Sequence, residues 1–423
     1  MRCRIASARF RFAWVVAVFL GAASLFFQVA SASVVITHWK HSSGARDNMV
    51  RMLAEEFMAE NPEIEVRVEV MSEGEFLDKV LVALAGGSGP DTVQVRSTWV
   101  PWLVQAKALQ PLHEAVLPYA QLEEEYVPGT IRQFQVDGKY YAVPTDAQTI
   151  VLFRQPHIFS EAGLNADGPP ETWEELAEAA RRIHRRDGEG LTQMMGAATG
   201  GYGPAIFSLM LQAGSPLWDA ERGEPDFDSP EAIKGFSFAT DLVTEYGVED
   251  PAFGSRWTAF RNEKLGMVYA HPAMKGSFLN THPDLKFAIS EIPAPEYGGS
   301  TQSLMTSWSL AITAKADGVA ATKWIAYLQS AEAQQRWLDL TGELPTLWSV
   351  IKDPINLEDP DQRSIMFSMM NSAGVPWVSD AMDGIIRDAW SKVINLSEPV
   401  NYAIETAQQE AVVAESEARK AEI

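Results

Sequence analysis

Apolar residues along this chain recur in two alternating periods. Val34 to Thr37 is a short apolar run, and Met49, Met52, Leu53 and Phe57 then repeat at helical spacing until Asn61-Pro62 stops them. Ile64, Val66, Val68 and Val70 alternate strictly with Glu65, Arg67 and Glu69, the pattern of a strand with one buried face. Phe76, Leu77, Val80, Leu81 and Leu84 form the next helical stripe, closed by Gly86-Gly87, and Thr92 to Val95 is strand again. This β-α-β-α-β order predicts an α/β fold with a mostly parallel sheet, whose ligands sit at the carboxyl ends of the strands.

Further along, Thr172-Trp173-Glu174-Glu175 is a capping box that opens a helix through Ile183. Ser229-Pro230-Glu231 opens another, with Gly247 just past its end. Pro293 to Gly299 is a turn-rich break. Ala316 to Gln335 reads as helix, Met366 to Trp390 as helix in parts, and the tail from Val400 as a charged, Ala-rich helix. No repeat or low-complexity linker divides the chain, so two α/β lobes joined by several short crossings fit better than two separate beads.

Residues 1–32 have the form of an export signal. Arg2, Arg4, Arg9 and Arg11 precede an apolar stretch from Phe12 to Phe27, and Ala30-Ser31-Ala32 is a small-x-small cleavage site. The sole cysteine, Cys3, lies far from that site, so the expected product is not a lipoprotein; it begins at Ser33 in the periplasm. One cysteine also excludes a disulfide scaffold and a Cys-based zinc site. The formal charge of −22 excludes a general nucleic-acid binder, and the signal's four arginines make the remainder more acidic still.

Signatures of catalysis are missing: no G-x-S-x-G, H-E-x-x-H or Walker lysine motif occurs. Gly86-Gly87-Ser88-Gly89-Pro90 follows a helix and precedes a strand, the reverse of a phosphate cradle, and reads as a helix-stopping loop. His38 and His41 are placed on a strand-to-loop segment without further histidines nearby, so neither metal nor cofactor is expected. Most of the thirteen tryptophans are expected in the core, a few at lobe edges as stacking faces for sugars.

Several segments, in order, resemble the family 1 extracellular solute-binding proteins of ABC importers, the group containing the maltose- and trehalose-binding proteins. They are Ala85-Gly86-Gly87-Ser88-Gly89-Pro90-Asp91-Thr92-Val93-Gln94-Val95, Asp137-Gly138-Lys139-Tyr140-Tyr141-Ala142-Val143-Pro144, and Gly163-Leu164 with Pro169-Pro170-Glu171-Thr172-Trp173-Glu174-Glu175-Leu176. Phe260-Arg261-Asn262-Glu263-Lys264-Leu265-Gly266-Met267-Val268 and Gly342-Glu343-Leu344-Pro345-Thr346 complete the set. The resemblance implies a type II periplasmic-binding-protein clamshell that traps a sugar, glycoside or polyol and hands it to an inner-membrane permease served by a cytoplasmic ATPase. It implies a monomer, without catalysis.

Hinge crossings would then fall near Asp146, Ser300 to Ser307 and Pro345 to Ser349. The N-lobe would be 33–146 with 304–346, and the C-lobe 147–303 with 347–423. The ligand-facing positions implied by the resemblance are Lys40, His41, Ser42 and Ser43; Arg96, Ser97 and Thr98; Asp146 and Gln148; Tyr202; His271 and Lys275; and Trp308. Arg96 stands where the family commonly has Asp, Gln148 where it often has a second acid, Ala273 where a Trp usually follows the proline, and Leu347 where an Arg is usual. The pocket is thus rebuilt relative to a typical disaccharide site. The competing expectation is a secreted glycoside hydrolase, which would require two carboxylates about 5 to 9.5 Å apart across one cleft.

Overall fold

The computed structural model describes residues 33–42, 45–219, 221–375 and 378–421. The export signal and Ser43 lie outside them. The chain opens as β1 (Val34–His41), α1 (Ala45–Glu60), β2 (Ile64–Met71), α2 (Glu73–Ala85) and β3 (Thr92–Arg96). Strand β1 pairs in parallel with β2 on one side and β3 on the other. Ile36, Val93 and Val95 are buried in this sheet, and the α1 stripe of Met49, Leu53 and Phe57 is buried with them. Two short strands, β4 (Leu109–Gln110) and β5 (Ala142–Pro144), follow.

A second sheet begins with β6 (Val151–Arg154), buried at every position, which continues the apolar read-out of a central strand. After it come α3 (Trp173–Ile183), β7 (Arg185–Arg186), β8 (Thr192–Ala198), α4 (Gly203–Ala213), α5 (Pro230–Thr244), β9 (Leu265–Ala270), α6 (Met274–Thr281) and β10 (Ala288–Glu291). The strand order is β10-β6-β9-β8-β7. The chain then passes through β11 (Leu304–Met305) to β12 (Trp308–Thr313), which lies antiparallel to β3, β4 and β5 in the first sheet. Helices α7 (Gly318–Leu328) and α8 (Ala331–Thr341) pack on α1. After them, α9 (Pro360–Met370) packs on β10 of the second sheet. Strand β13 (Ala373–Gly374) pairs with β11, and α10 (Asp380–Leu396) and α11 (Val400–Ala421) pack together.

The result is a two-lobed α/β clamshell whose sheets are joined by three passages. The first two lie side by side: Gln148 N–H donates to Thr306 O at 2.8 Å and Thr306 N–H to Gln148 O at 2.9 Å. Ala147 N–H donates to Leu344 O of the third at 3.1 Å. Ala147, Gln148, Thr306 and Leu344 therefore sit in one hydrogen-bonded strip between the lobes.

Local chemistry explains several element ends. Thr172 Oγ1 accepts the Glu175 N–H at 3.2 Å, and the Glu175 carboxylate accepts the Glu171 N–H at 2.8 Å, a capping box displaced by one residue on its return arm. Trp173 is core: it stacks on Phe238 with centroids 4.4 Å apart, and its Nε1–H donates to Gln212 Oε1 at 3.1 Å. The expected continuous helix from Ala316 to Gln335 is instead two. Ser330 Oγ accepts the Ala333 N–H at 3.3 Å and starts α8 afresh, because a serine that can satisfy an orphan donor competes with continuing the turn. The first strand, expected to end at Thr37, runs on to His41.

Candidate functional site

A cavity of about 400 Å³ lies between the lobes. It gathers the carboxyl ends of the strands, where parallel strands leave a crevice. His41 ends β1, Arg96 ends β3 with Ser97 and Thr98 next to it, Trp308 begins β12, and His271 follows β9. Tyr202 ends the β8–α4 loop, and Gln148, Thr306 and Ser307 come from the hinge strip. Eight of the thirteen expected positions therefore meet here: His41, Arg96, Ser97, Thr98, Gln148, Tyr202, His271 and Trp308.

Trp308 is not an open stacking platform. Its ring is 8% exposed: His41 stacks on it at 4.1 Å and 25°, Trp99 meets it edge-on at 5.7 Å, and the Arg96 guanidinium lies 5.0 Å from its centroid. This packing fixes Arg96 by a cation–π contact. His41 donates its Nδ1–H to Gln94 Oε1 at 2.8 Å, and His271 donates its Nδ1–H to the Thr149 carbonyl at 3.0 Å. Withdrawal from water, with nearby cationic charge, pulls both histidines down to about 4, so both are neutral at pH 7. With the proton on Nδ1, each keeps Nε2 as an acceptor. Tyr202 stands edge-on to His271 at 5.4 Å, and burial raises its phenol above the ordinary range, so it stays a hydroxyl. The Thr98 Oγ1 is buried without a hydrogen-bond partner among the described residues.

Four expected positions are described but do not line the cavity. Lys40 is 2% exposed and shares the face of β1 that carries His38; its ammonium pairs with Asp47 and donates to the His41 carbonyl at 2.7 Å. Since β1 runs through His41, strand alternation sends Lys40 and His41 to opposite faces. Desolvation pulls Lys40 below its ordinary range, partly offset by Asp47. Asp146 is wholly buried behind the cavity wall. It accepts from Trp308 N–H at 3.1 Å, Thr145 Oγ1–H at 3.0 Å and Gln148 Nε2–H at 3.0 Å, so it braces two lining residues. Lys275 pairs with Asp359 at 2.8 Å in a neighbouring cleft. Ser42 is exposed, its hydroxyl donating to Asp47 at 2.9 Å. Ser43 lies outside the described residues. His38, set aside as a metal ligand, lies in the interior of β1, its Nδ1 2.9 Å from Thr92 Oγ1, and burial pulls it down to about 3.

The sequence reading did not identify Arg46, Phe207, Thr306, Ser379 or Asp383 as lining residues. Arg46 pairs with Glu343, and Asp383 lies 3.5 Å from Arg387. Ser379 caps α10, accepting the Met382 N–H at 3.4 Å, and lines the cavity together with Asp383 of the same helix. None of these belongs to a motif; only the fold brings them together. Among the described residues no group of three or more His, Cys, Asp or Glu could hold a metal ion, and no helix is long and apolar enough to cross a membrane.

The chain is similar to several characterised proteins. It is 28% identical to the arabinooligosaccharide-binding protein of Halalkalibacterium halodurans over 67% of this chain, a match that spans 64% of that protein's length. It is 25% identical to the maltotriose-binding protein of Pyrococcus abyssi, covering 85% of this chain and 79% of that one. Its fold superimposes on the sugar-binding protein MalE from Xanthomonas citri with a TM-score of 0.79 at 21% identity, over 91% of this chain and 98% of that one. The family model for bacterial extracellular solute-binding proteins matches residues 44–335. That match covers well over half of the sequence: the chain belongs to the bacterial extracellular solute-binding protein family.

Proposed function

We propose that this protein is the periplasmic substrate-binding subunit of an ABC importer, and that it captures a neutral sugar, glycoside or polyol in the interlobe cavity. The observation that carries the reading is the lining itself: both lobes and the hinge contribute, and most polar groups are neutral hydroxyls, amides and imidazole acceptors. Hydroxyls of a polyol donate and accept at once, which matches such a mixed set. The names of the arabinooligosaccharide- and maltotriose-binding relatives support a sugar. Among the described residues the lining carries a single carboxylate, Asp383, whereas glycoside hydrolysis ordinarily needs a facing pair, which favours binding over catalysis.

In this reading the protein is exported with cleavage between Ala32 and Ser33, acts as a monomer, and presents its closed form to the permease. Closure moves 33–146 with 304–346 against 147–303 with 347–423 about the hinge strip. A thermal-shift screen of protein beginning at Ser33 tests the ligand class, using neutral mono-, di- and trisaccharides, polyols and sugar acids. A ligand at a hundred times its dissociation constant stabilises the folded state by about 2.7 kcal/mol. A midpoint raised by sugar acids alone overturns the neutral assignment, and a screen with no rise overturns the reading.

A further inference from the structure

The wall that holds Tyr202 is clamped from behind. The loop Thr199-Gly200-Gly201-Tyr202 joins β8 to α4 and ends in the cavity. Its amide side is taken by Glu249: one carboxylate oxygen accepts the Thr199 N–H at 2.9 Å and the Thr199 hydroxyl at 3.3 Å, and the other accepts the Gly200 N–H at 2.7 Å. Its carbonyl side is taken by Arg256, whose Nη1 donates to Thr199 O at 2.8 Å and Gly200 O at 3.2 Å. The same guanidinium lies 4.7 Å from the Tyr202 ring centroid and 4.1 Å from that of Trp257. Gly200 and Gly201 have φ of 64° and 62°, and a side chain at either would strike Arg256 or the Trp390 ring. The loop is thus built for a guanidinium to lie against its backbone.

Neither Glu249 nor Arg256 is among the residues that line the interlobe cavity. We propose that they are positioning residues: together they fix the Thr199–Tyr202 loop and so set the Tyr202 wall against which the ligand closes. The proposal rests on the interlobe cavity being the ligand site only for its effect on affinity; the clamp is a property of the free protein.

Ionisation of Glu249 gives the clamp a pH dependence. Burial pushes this carboxyl up to about 7, against the pull of the loop donors and Arg256. A carboxylate accepts all three loop donors, whereas protonation turns one oxygen into a donor facing an N–H; those donors hold the value down while burial raises it, so the loop parts more easily from a still-buried Glu249, and the clamp loosens, as pH falls through neutrality. Arg256, Tyr202, Arg387 of α10, Asp250 and His271 line one cleft with it, and His184, pulled down by burial, is hydrogen-bonded to the backbone of the preceding Val248. Burial pulls Arg256 down to about 10, so it stays charged, and pulls His271 to about 4, so it stays neutral across that window. Asp250 is engaged by the Thr192 hydroxyl at 2.6 Å.

Amide hydrogen exchange on the ligand-free protein tests this between pH 5.5 and 8.5, expressed as protection relative to each amide's intrinsic rate. Protection at Thr199 and Gly200 should rise about tenfold from pH 6 to pH 8. Glu249→Gln should flatten that profile and weaken binding of maltotriose, the probe ligand, about fivefold at pH 8. Arg256→Met keeps the stem packed on Trp257 while removing the N–H groups that donate to the two carbonyls, and should lower protection at the same amides at every pH. A flat wild-type profile, or a step that persists in Glu249→Gln, overturns the proposal. Intact pH-dependent protection with no maltotriose binding leaves the clamp standing and counts against the sugar reading alone.

Discussion

At the level of single residues, the cavity separates groups that hold the wall from groups open to a ligand. Thr98 belongs to the second kind, since its buried hydroxyl has no partner among the described residues. Thr98→Val should therefore leave the stability of the free protein unchanged or slightly raised, while weakening the ligand by about 1 kcal/mol, the net worth of one neutral hydrogen bond. Calorimetric titration beside a urea melt reads both; a destabilised free protein with unaltered affinity would make the hydroxyl structural. Arg96 is held over Trp308 rather than left to swing. Arg96→Ala should cost about 1.5–3 kcal/mol of affinity if its charge-assisted bond to the ligand is direct. A loss confined to acidic ligands would reverse the assignment to neutral ones.

At the level of elements, much of the architecture was legible because burial writes its period into the sequence. Strand β2, the stripe of α2 and the cap at Thr172 all fall where alternation, helical spacing and capping chemistry put them. Thr172→Ala should accordingly destabilise the protein by about 1 kcal/mol, seen as a lower urea midpoint at unchanged slope; an unaltered midpoint would mean that Pro170 and the Trp173–Phe238 stack already fix the start of α3. The misreadings have equally local causes. Ending β1 at Thr37 treated Lys40 to Ser43 as one loop, when a strand that continues to His41 must turn Lys40 and His41 to opposite faces. Asp146 was expected at the ligand, whereas it is wholly buried and accepts the Trp308 N–H from 162 residues away, a pairing that no local pattern in the sequence shows. Arg46, Phe207 and Asp383 carried no signal, since α1, α4 and α10 meet the cavity only through tertiary packing.

For the whole molecule, the hinge strip and cavity predict that ligand and pH act on one folded body. Saturating ligand should reduce the radius of gyration measured by small-angle scattering, because hinge residues absorb the backbone change while the sheets move rigidly. An unchanged radius with calorimetrically verified occupancy would mean a rigid site. Acid should unfold the protein through its buried histidines. His38 is pulled down to about 3, and His41 and His271 to about 4, so from pH 6.5 downward the unfolded chain binds protons that these folded imidazoles refuse. Their contribution to stability is complete above the unfolded value of 6.5 and is lost as pH falls toward 4. Glu249 works in the opposite direction. With its folded value near 7 and its ordinary value at 4.5, it is protonated in the native state while ionised in the unfolded one, so it favours the fold as pH falls within that window. Three imidazoles against one carboxyl leave up to two protons taken up on unfolding between about pH 5 and 6.5. At about 1.4 kcal/mol per proton per pH unit, stability should drop by up to roughly 3 kcal/mol per unit. Glu249→Gln removes the opposing group and should steepen the fall by about 1.4 kcal/mol per unit. Urea melts at pH 7.5, 6.5 and 5.5 measure both slopes; a wild-type stability that stays flat or rises toward pH 5.5 would show that the histidines are not neutral in the fold.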